Sequence, residues 1–127
     1  MNKIFTFGSN KAGRHGAGAA RRARQAYGAR YGQGKGLQGN SYAIPTKDSS
    51  LKTLTLNKVA LYVQDFKQFA RANPDKNFYV TRIGCGLAGF SDEQIAPLFI
   101  DSPQNCIFHK TWEKFIGAGY RYFTENL

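Results

Sequence analysis

Residues 78–90 read FYVTRIGCGLAGF, an apolar run that ends abruptly in a loop containing three glycines. The run from Phe78 to Ile83 is dominated by β-branched and aromatic residues, which is typical of a buried strand. Ser91 and Gln94 then form the Ser-x-x-Gln pattern that begins many helices. The sequence therefore predicts a strand, a glycine loop and a short helix in direct succession.

The N-terminal part of the chain repeats this succession. The short β-prone run Ile4–Phe7 stops at Gly8, and a loop with further glycines follows. A helix is predicted over Ala19–Tyr31, because small and aromatic residues recur there at helical spacing: Ala20, Ala23, Tyr27 and Tyr31. The glycines that come next predict a flexible crossing of the surface: Gly28, Gly32, Gly34 and Gly36.

Further elements alternate in type along the rest of the chain. The sequence predicts a strand at Ser41–Ile44 that Pro45 ends, a long amphipathic helix at Leu56–Ala72 and a strand at Cys106–Phe108. The segment Tyr120–Phe123 is compatible with a last strand or a helical turn. This alternation predicts one α/β domain over residues 1–127, with a mostly parallel sheet covered on both faces. In such sheets ligands bind at the carboxyl ends of the strands, where both glycine loops would lie.

Composition narrows the classes of function. The 127 residues include two cysteines, Cys85 and Cys106, without a CxxC pair or a cluster of histidines, so neither a metal site nor a cofactor is expected. No apolar stretch is long enough to span a bilayer and no signal peptide is visible, so we expect a cytoplasmic protein without a membrane partner. The sequence leaves the oligomeric state open.

Charge is concentrated at one end of the chain. Residues 1–47 contain nine Lys or Arg and no acidic residue, whereas residues 48–127 contain nine basic and eight acidic residues. This asymmetry predicts an anionic partner, with nucleic acid as one candidate, although a solvated basic face would produce the same pattern. Glycine loops that lead into helices offer backbone N–H groups to phosphate, so Gly16–Gly18 and Gly84–Gly86 are candidate phosphate loops, unless both are ordinary turns.

Three segments resemble macrodomains. Thr81–Leu87 resembles their R-I-G-C-G-L loop, Arg14–Ala20 is similar to an R-M-G-A-G-I-A segment and Tyr42–Lys47 is similar to a Y-x-L-I-T-K strand end. The match is closest to the branch of terminal ADP-ribose protein glycohydrolases and antitoxins that remove ADP-ribose from DNA. The resemblance implies a three-layer macrodomain-like sandwich that binds ADP-ribose or a related nucleotide. The small size and basic character are also similar to short macro-like phage proteins that counter or buffer host nucleotide signals.

The resemblance also implies roles for individual residues. Lys47 occupies the position of the branch's lysine nucleophile, with a solvated strand-end charge as the alternative. Ala88 stands where the branch has its catalytic aspartate, and Asp92 or Asp48 is expected to replace that carboxylate. The chain begins almost at the first loop, so the upstream segment with the acid that recognises adenine is expected to be missing. Gly18 likewise stands where other macrodomain hydrolases have an aspartate.

The expected ligand contacts follow from these loops. Backbone groups of both loops are expected to bind the diphosphate: Gly16, Ala17, Gly18, Ile83, Gly84, Cys85, Gly86 and Leu87. Ser9 and Asn10 are expected to bind ribose hydroxyls, His15 to contact a phosphate and Phe90 to lie against the distal ribose. Cys85 is interpreted as a backbone donor and not as a nucleophile. His109, Trp112 and Cys106 are interpreted as structural.

Three functions remain open from the sequence. The chain is an enzyme that removes ADP-ribose from nucleic acid or protein, a non-catalytic module or sponge that captures the nucleotide, or a basic nucleic-acid-binding domain with structural glycines. The lysine at position 47 favours the first function, and alanine at position 88 favours the second.

Overall fold

The computed structural model describes residues 3–124 and 127 of the chain. Within these residues most successive strands are separated by a helix, and two short 3-10 turns lie at Ala96–Phe99 and Lys110–Trp112. The elements are β1 (Lys3–Asn10), α1 (Gly18–Ala26), β2 (Gly36–Gln38), β3 (Ser41–Lys47), α2 (Leu56–Ala72), β4 (Asn77–Val80), α3 (Asp92–Ile95), β5 (Cys106–His109), α4 (Glu113–Ile116) and β6 (Arg121–Phe123).

All six strands form one sheet in the order β2-β3-β1-β4-β5-β6. Only the edge pair β2 and β3 is antiparallel, and every other neighbouring pair is parallel. The predicted α/β class with a mostly parallel sheet is therefore confirmed. Because β1 lies between β3 and β4, the order of the strands reverses there, and the loops that follow β1 and β4 border the resulting crevice.

Each face of the sheet carries its own apolar cluster. Ala43 belongs to the smaller cluster and Ile44 to the larger one, because successive side chains of a strand point to opposite faces. The smaller cluster contains Ala20 and Ala23 of α1, and the larger one is completed by the apolar side of α2: Val59, Val63, Phe66 and Ala70. Burying each such Val or Phe contributes about 1.5–3 kcal/mol. The packing of the two helices therefore fixes where the loops that precede them end.

Several predicted boundaries are wrong, each for a local reason. The strand predicted to stop at Gly8 continues to Asn10, because Gly8, Ser9 and Asn10 still pair with β3. The helix predicted to Tyr31 ends at Ala26, because the chain turns at Gly28, where φ is +77°, and the N–H of Ala29 returns to the carbonyl of Ala23. The strand predicted to end before Pro45 continues to Lys47. Since β2 pairs with β3 only as far as Ala43, one edge of β3 has no partner strand at Pro45 and tolerates the missing N–H.

The strand predicted to reach Ile83 ends at Val80, and Thr81 adds one hydrogen bond from its N–H to the carbonyl of Thr6 at 3.1 Å. The sequence did not predict β2 or α4. The segment around Tyr120 proves to be a strand, Arg121–Phe123. Within the residues that the structure describes, no helix combines the length and the apolar character that crossing a membrane requires.

Candidate functional site

The two glycine loops converge on one cavity of about 480 Å³ at the carboxyl ends of β1, β3 and β4. A Cβ atom built on Gly18 would lie 3.9 Å from Cδ1 of Leu87, and one built on Gly8 would lie 3.3 Å from the backbone nitrogen of Gly84. The loops therefore face each other across a narrow gap. Both loops contribute residues to the wall: Gly16, Ala17, Gly18, Ile83, Gly84, Gly86 and Leu87.

The first loop opens directly onto the start of α1. Ala17 is the N-cap residue, in extended conformation with φ −153° and ψ 161°, and it provides no side-chain hydrogen bond. The first turn contains no acidic residue. The N–H groups of Gly18, Ala19 and Ala20 have no partner within the helix, because the first N–H groups of an α-helix have no carbonyl of the helix before them. This end of α1 carries unpaired donors and a partial positive charge toward the cavity.

The second loop supplies donors in a different way. Its turns close through the N–H of Phe90 to the carbonyl of Gly84 at 2.9 Å and that of Gly89 to Gly86 at 3.0 Å. Within the described part of the chain, the N–H groups of Gly84, Gly86 and Leu87 donate to no acceptor. The start of α3 is closed by the predicted capping box of Ser91 and Gln94. The open donors of this loop therefore belong to its own turns and not to the helix that follows.

The glycine-rich segment 28–38 supports the first loop. The hydroxyl of Ser9 donates to the carbonyl of Gly34, and the N–H of Gly32 donates to the carbonyl of Gly13 at 2.9 Å. A Cβ on Gly34 would lie 2.3 Å from the carbonyl oxygen of Asn10, so only glycine permits this approach. The glycine-rich crossing is thus a support that holds the first loop in place.

His15 belongs to the same support. Its ring is 1% exposed, Nε2 lies 3.0 Å from the carbonyl oxygen of Gln33 and 3.2 Å from Oε1 of Gln38, and the residue does not line the cavity. Ser9 and Asn10 do line it. The amide side chain of Asn10 accepts from the N–H of Arg14 and donates to its carbonyl, both at 2.9 Å. Asn10 therefore shapes the loop that presents Arg14 to the cavity.

Lys47 lies on the third wall of the cavity. It is half-buried at the carboxyl end of β3, opposite Asn10 across a register irregularity, and its carbonyl accepts from the N–H of Lys11 at 2.9 Å. Asp48 turns away into a tight loop, where Oδ1 accepts from the N–H of Ser50 at 2.8 Å and that of Lys52 at 3.0 Å. The structure thus brings Lys47 to the same cavity as the glycine loops, but not Asp48.

Three further predicted site residues lie outside the cavity lining. The carboxylate of Asp92 is bound by Arg82 and by the indole N–H of Trp112. Phe90 packs against the larger apolar cluster. Burial raises the pKa of the Cys85 thiol to about 12, with Asp92 as a smaller cause, so this cysteine is not a thiolate nucleophile. No Asp or Glu among the described residues lines the cavity.

Sequence reasoning missed several lining residues. Arg14, Thr46, Leu51 and Thr81 lie on the cavity wall, and Arg82 lines both this cavity and a second one of about 560 Å³ beside it. The second cavity shares Gly18, Ala19, Thr81 and Arg82 with the first and adds aromatic, cationic and apolar side chains: Phe5, Arg22, His109, Phe123 and Leu127. Arg14 and Arg82 flank the predicted loops in sequence, and that adjacency was the available signal.

The fold and the site define an α/β protein with a basic, glycine-walled cavity at the switch point of its sheet. Comparison of the chain with protein-family models, with curated proteins and with solved structures finds no match.

Proposed function

We propose that this protein binds ADP-ribose, or a related nucleotide with a diphosphate, in the cavity between its two glycine loops. The observation that carries the proposal is the presence of unpaired backbone N–H groups on two facing walls: Gly18 and Ala19 at the start of α1, and Gly84, Gly86 and Leu87 in the second loop. A diphosphate has oxygen acceptors on two adjacent phosphorus atoms, so it matches donors that approach from two sides.

Size and charge support a nucleotide over a free inorganic anion. The first cavity, at about 480 Å³, falls within the range of small-molecule sites, and the second continues it past Arg82. Basic residues line the two cavities, Arg14, Lys47, Arg82 and Arg22, without an acidic side chain among the described residues. The rings of Phe5 and Phe123 give the second cavity an apolar part suited to a nucleobase.

A macrodomain-like architecture is part of the same proposal. The packing of α1 and α2 against opposite faces of the sheet supports the three-layer arrangement. The three segments that resemble macrodomain motifs, Arg14–Ala20, Tyr42–Lys47 and Thr81–Leu87, each contribute residues to the cavity. This joint placement supports the ligand that the resemblance implies.

Binding without turnover is the form of the function that the site favours. Hydrolysis of a glycosidic bond ordinarily uses a carboxylate as acid, base or nucleophile, and the cavity lining includes Ala88 but no Asp or Glu from the described residues. A capturing module needs only the donors and the cations. Lys47 on the cavity wall supports the second candidate, an ADP-ribosyl hydrolase with a lysine nucleophile.

Isothermal titration calorimetry with ADP-ribose tests the binding. We expect saturable 1:1 binding, with weaker binding of ADP and weaker still of ribose 5-phosphate, because each analogue lacks part of the ligand that two connected cavities accommodate. The matched control is ADP-ribose titrated into the Ala17→Asp variant, whose carboxylate would occupy the donors of α1. The proposal is overturned if millimolar ADP-ribose produces no heat of binding.

Turnover is tested on an ADP-ribosylated oligonucleotide, with release of ADP-ribose followed by chromatography. If the lysine is the nucleophile, Lys47→Ala abolishes release while ADP-ribose still binds. Lys52→Ala is the matched control, because Lys52 is exposed on the neighbouring loop and does not line the cavity. Release that persists in Lys47→Ala would contradict the lysine mechanism, and absence of release from the unaltered protein would leave binding as the function.

A further inference from the structure

Arg82 occupies the junction of the two cavities. It follows β4 by two residues and lines both cavities together with Gly18, Ala19 and Thr81. Its side chain is 46% exposed, so it is accessible to a ligand that extends from one cavity into the other. A cation at this junction faces the anionic middle of such a ligand, where the phosphates of a nucleotide lie.

Asp92 holds the guanidinium of Arg82 at two points. Nε donates to Oδ1 at 2.9 Å and Nη2 donates to Oδ2 at 2.7 Å, which is the paired geometry of an arginine fork on a carboxylate. Nη1 donates to no residue in the described part of the chain. Two nitrogens of the fork are therefore fixed, and the third is left for another acceptor.

Trp112 and α3 hold the carboxylate in turn. The indole N–H of Trp112, a fully buried residue, donates to Oδ1 of Asp92 at 2.7 Å. Asp92 also lies in the first turn of α3, where the helix favours negative charge. The hydrogen bonds from Arg82 are the largest cause that lowers the pKa of Asp92 to about 2. The carboxylate that binds Arg82 is therefore itself held in place by Trp112.

We infer that Arg82 is the residue that pairs with the phosphates of the bound nucleotide, and that Asp92 and Trp112 are positioning residues that act through it. The inference rests on the proposed function for the identity of the ligand, but not for the presence of an anion site. It gives Asp92 a role in binding that differs from that of a catalytic acid. A fixed guanidinium loses less conformational freedom on binding than a free one, so Asp92 raises affinity without touching the ligand.

The alternative is that the ion pair only fastens the two ends of the second glycine loop. The salt dependence of binding, measured across a double-mutant cycle, separates the two roles. The cycle uses Arg82→Gln, Asp92→Asn and the double variant, with Asp65→Asn as a control. Asp65 pairs with Lys35 at 2.9 Å and lines neither cavity, so its substitution changes the charge equally. Each protein is titrated with ADP-ribose and separately with inorganic pyrophosphate, and its folding is checked by thermal unfolding.

We expect Arg82→Gln to weaken ADP-ribose and pyrophosphate binding about tenfold or more, because a charge-assisted pair to phosphate is lost. Asp92→Asn should weaken binding about threefold to tenfold in the original protein and have no effect in the Arg82→Gln background, since its action passes through Arg82. Asp65→Asn should leave affinity unchanged. The salt dependence of binding should fall with Arg82→Gln and stay nearly constant with Asp92→Asn, a difference that a loop fastener would not produce.

Each result distinguishes this inference from the proposed function. If the unaltered protein binds ADP-ribose and Arg82→Gln binds it equally well, the inference is overturned and the proposed function stands. If the unaltered protein binds pyrophosphate but not ADP-ribose, and Arg82→Gln loses pyrophosphate, the inference stands and the nucleotide proposal fails. Should Asp92→Asn weaken binding equally with and without Arg82, Asp92 is not a positioning residue. If the unaltered protein binds neither ligand, both proposals fail.

Discussion

Helices α1 and α2 begin in opposite ways: a side chain caps the start of α2, and none caps the start of α1. At α2, Thr55 caps the helix, and its hydroxyl accepts from the N–H of Lys58 at 3.3 Å. At α1, Ala17 has the extended backbone of a capping residue but no side chain that can accept a hydrogen bond. The two ends also differ in surroundings, because only the start of α1 lines the cavity.

An uncapped helix start is a cost that the local sequence could remove with one substitution. A Ser, Thr or Asp at such a position stabilises a protein by about 1 kcal/mol relative to Ala. The chain uses this device at α2 and a complete capping box at α3, but not at α1, which opens onto the cavity. A helix start that lacks a stabilising cap beside a concave, basic surface is typical of a binding site. The difference supports the proposal that the donors of α1 bind a ligand.

Among the variants that test the difference between α1 and α2, Ala17→Asp has the largest expected effect. A carboxylate in the extended N-cap position would accept from the N–H groups of Ala19 or Ala20 and repel a phosphate. We expect ADP-ribose affinity to fall about 100-fold or more, because like charges facing each other in an interface cost several kcal/mol. The free energy of unfolding should rise by about 1 kcal/mol, measured by urea denaturation.

The neutral variant Ala17→Ser is the control for this substitution. Its hydroxyl caps the helix without adding charge, so stability should rise similarly while affinity falls less than with aspartate. Lower stability in both variants would show that the start of α1 has no room for a cap, and unchanged affinity in Ala17→Asp would remove α1 from the binding site.

Gly84→Val tests the second wall, where the donors belong to a turn. Gly84 has φ +76°, and a Cβ would lie 3.2 Å from Cδ2 of Phe90 and 3.4 Å from Cδ1 of Ile95. We expect the free energy of unfolding to fall by about 2 kcal/mol and ADP-ribose affinity to fall about tenfold, because the strained turn shifts its N–H groups.

Gly119→Ala is the matched control for strain, since φ is +99° there and the space around its Cβ is open. It should lose stability by about 1 kcal/mol and bind normally. If Gly84→Val binds normally as well, the second loop is not part of the phosphate site.

The elements that the sequence predicted well are those whose local pattern agrees with their packing. Leu56–Ala72 matches its predicted bounds because one apolar side faces the larger cluster and the cap lies in the adjacent residue. The strand at Ser41 was predicted to stop too early, because the tolerance for Pro45 depends on where β2 ends. That information lies in a distant contact and not in the local pattern.

The residues of the candidate site divide in the same way: the local pattern predicts some of them, and others depend on distant contacts. The glycine loops and Lys47 were predicted to lie together, and they do line one cavity. His15 was predicted to contact a phosphate, but the structure places its ring under the loop against Gln33 and Gln38, contacts that depend on how the 30–38 segment crosses back. Arg82 was missed because its location at the junction of two cavities follows from the packing of the whole sheet.

Thr55→Ala tests the other side of the comparison. Removing the cap of α2 should lower the free energy of unfolding by about 1 kcal/mol and leave ADP-ribose affinity unchanged, because this helix start does not line the cavity. Urea denaturation and calorimetry measure the two effects. Thr55→Ser, which keeps the hydroxyl, is the control and should behave nearly like the unaltered protein. A loss of affinity in Thr55→Ala alone would show that helix capping affects the cavity at a distance.

The pH dependence of stability extends the comparison to α3. The first turn of α3 contains Asp92, whereas the first turn of α1 contains no acidic residue. Because the pKa of Asp92 is lowered from 3.8 to about 2 in the folded protein, chiefly by its hydrogen bonds to Arg82, the unfolded chain binds the proton more readily. The stabilisation is therefore complete above about pH 4 and is lost as the pH falls toward 2.

Its size is at most about 1 kcal/mol, since the side chains of Arg82 and Asp92 are 46% and 26% exposed and solvent screens the pair. We expect the difference in unfolding free energy between the unaltered protein and Asp92→Asn to be constant from pH 5 to 7 and to shrink between pH 4 and 2. A difference that stays constant down to pH 2 would mean that the charge of Asp92 contributes nothing.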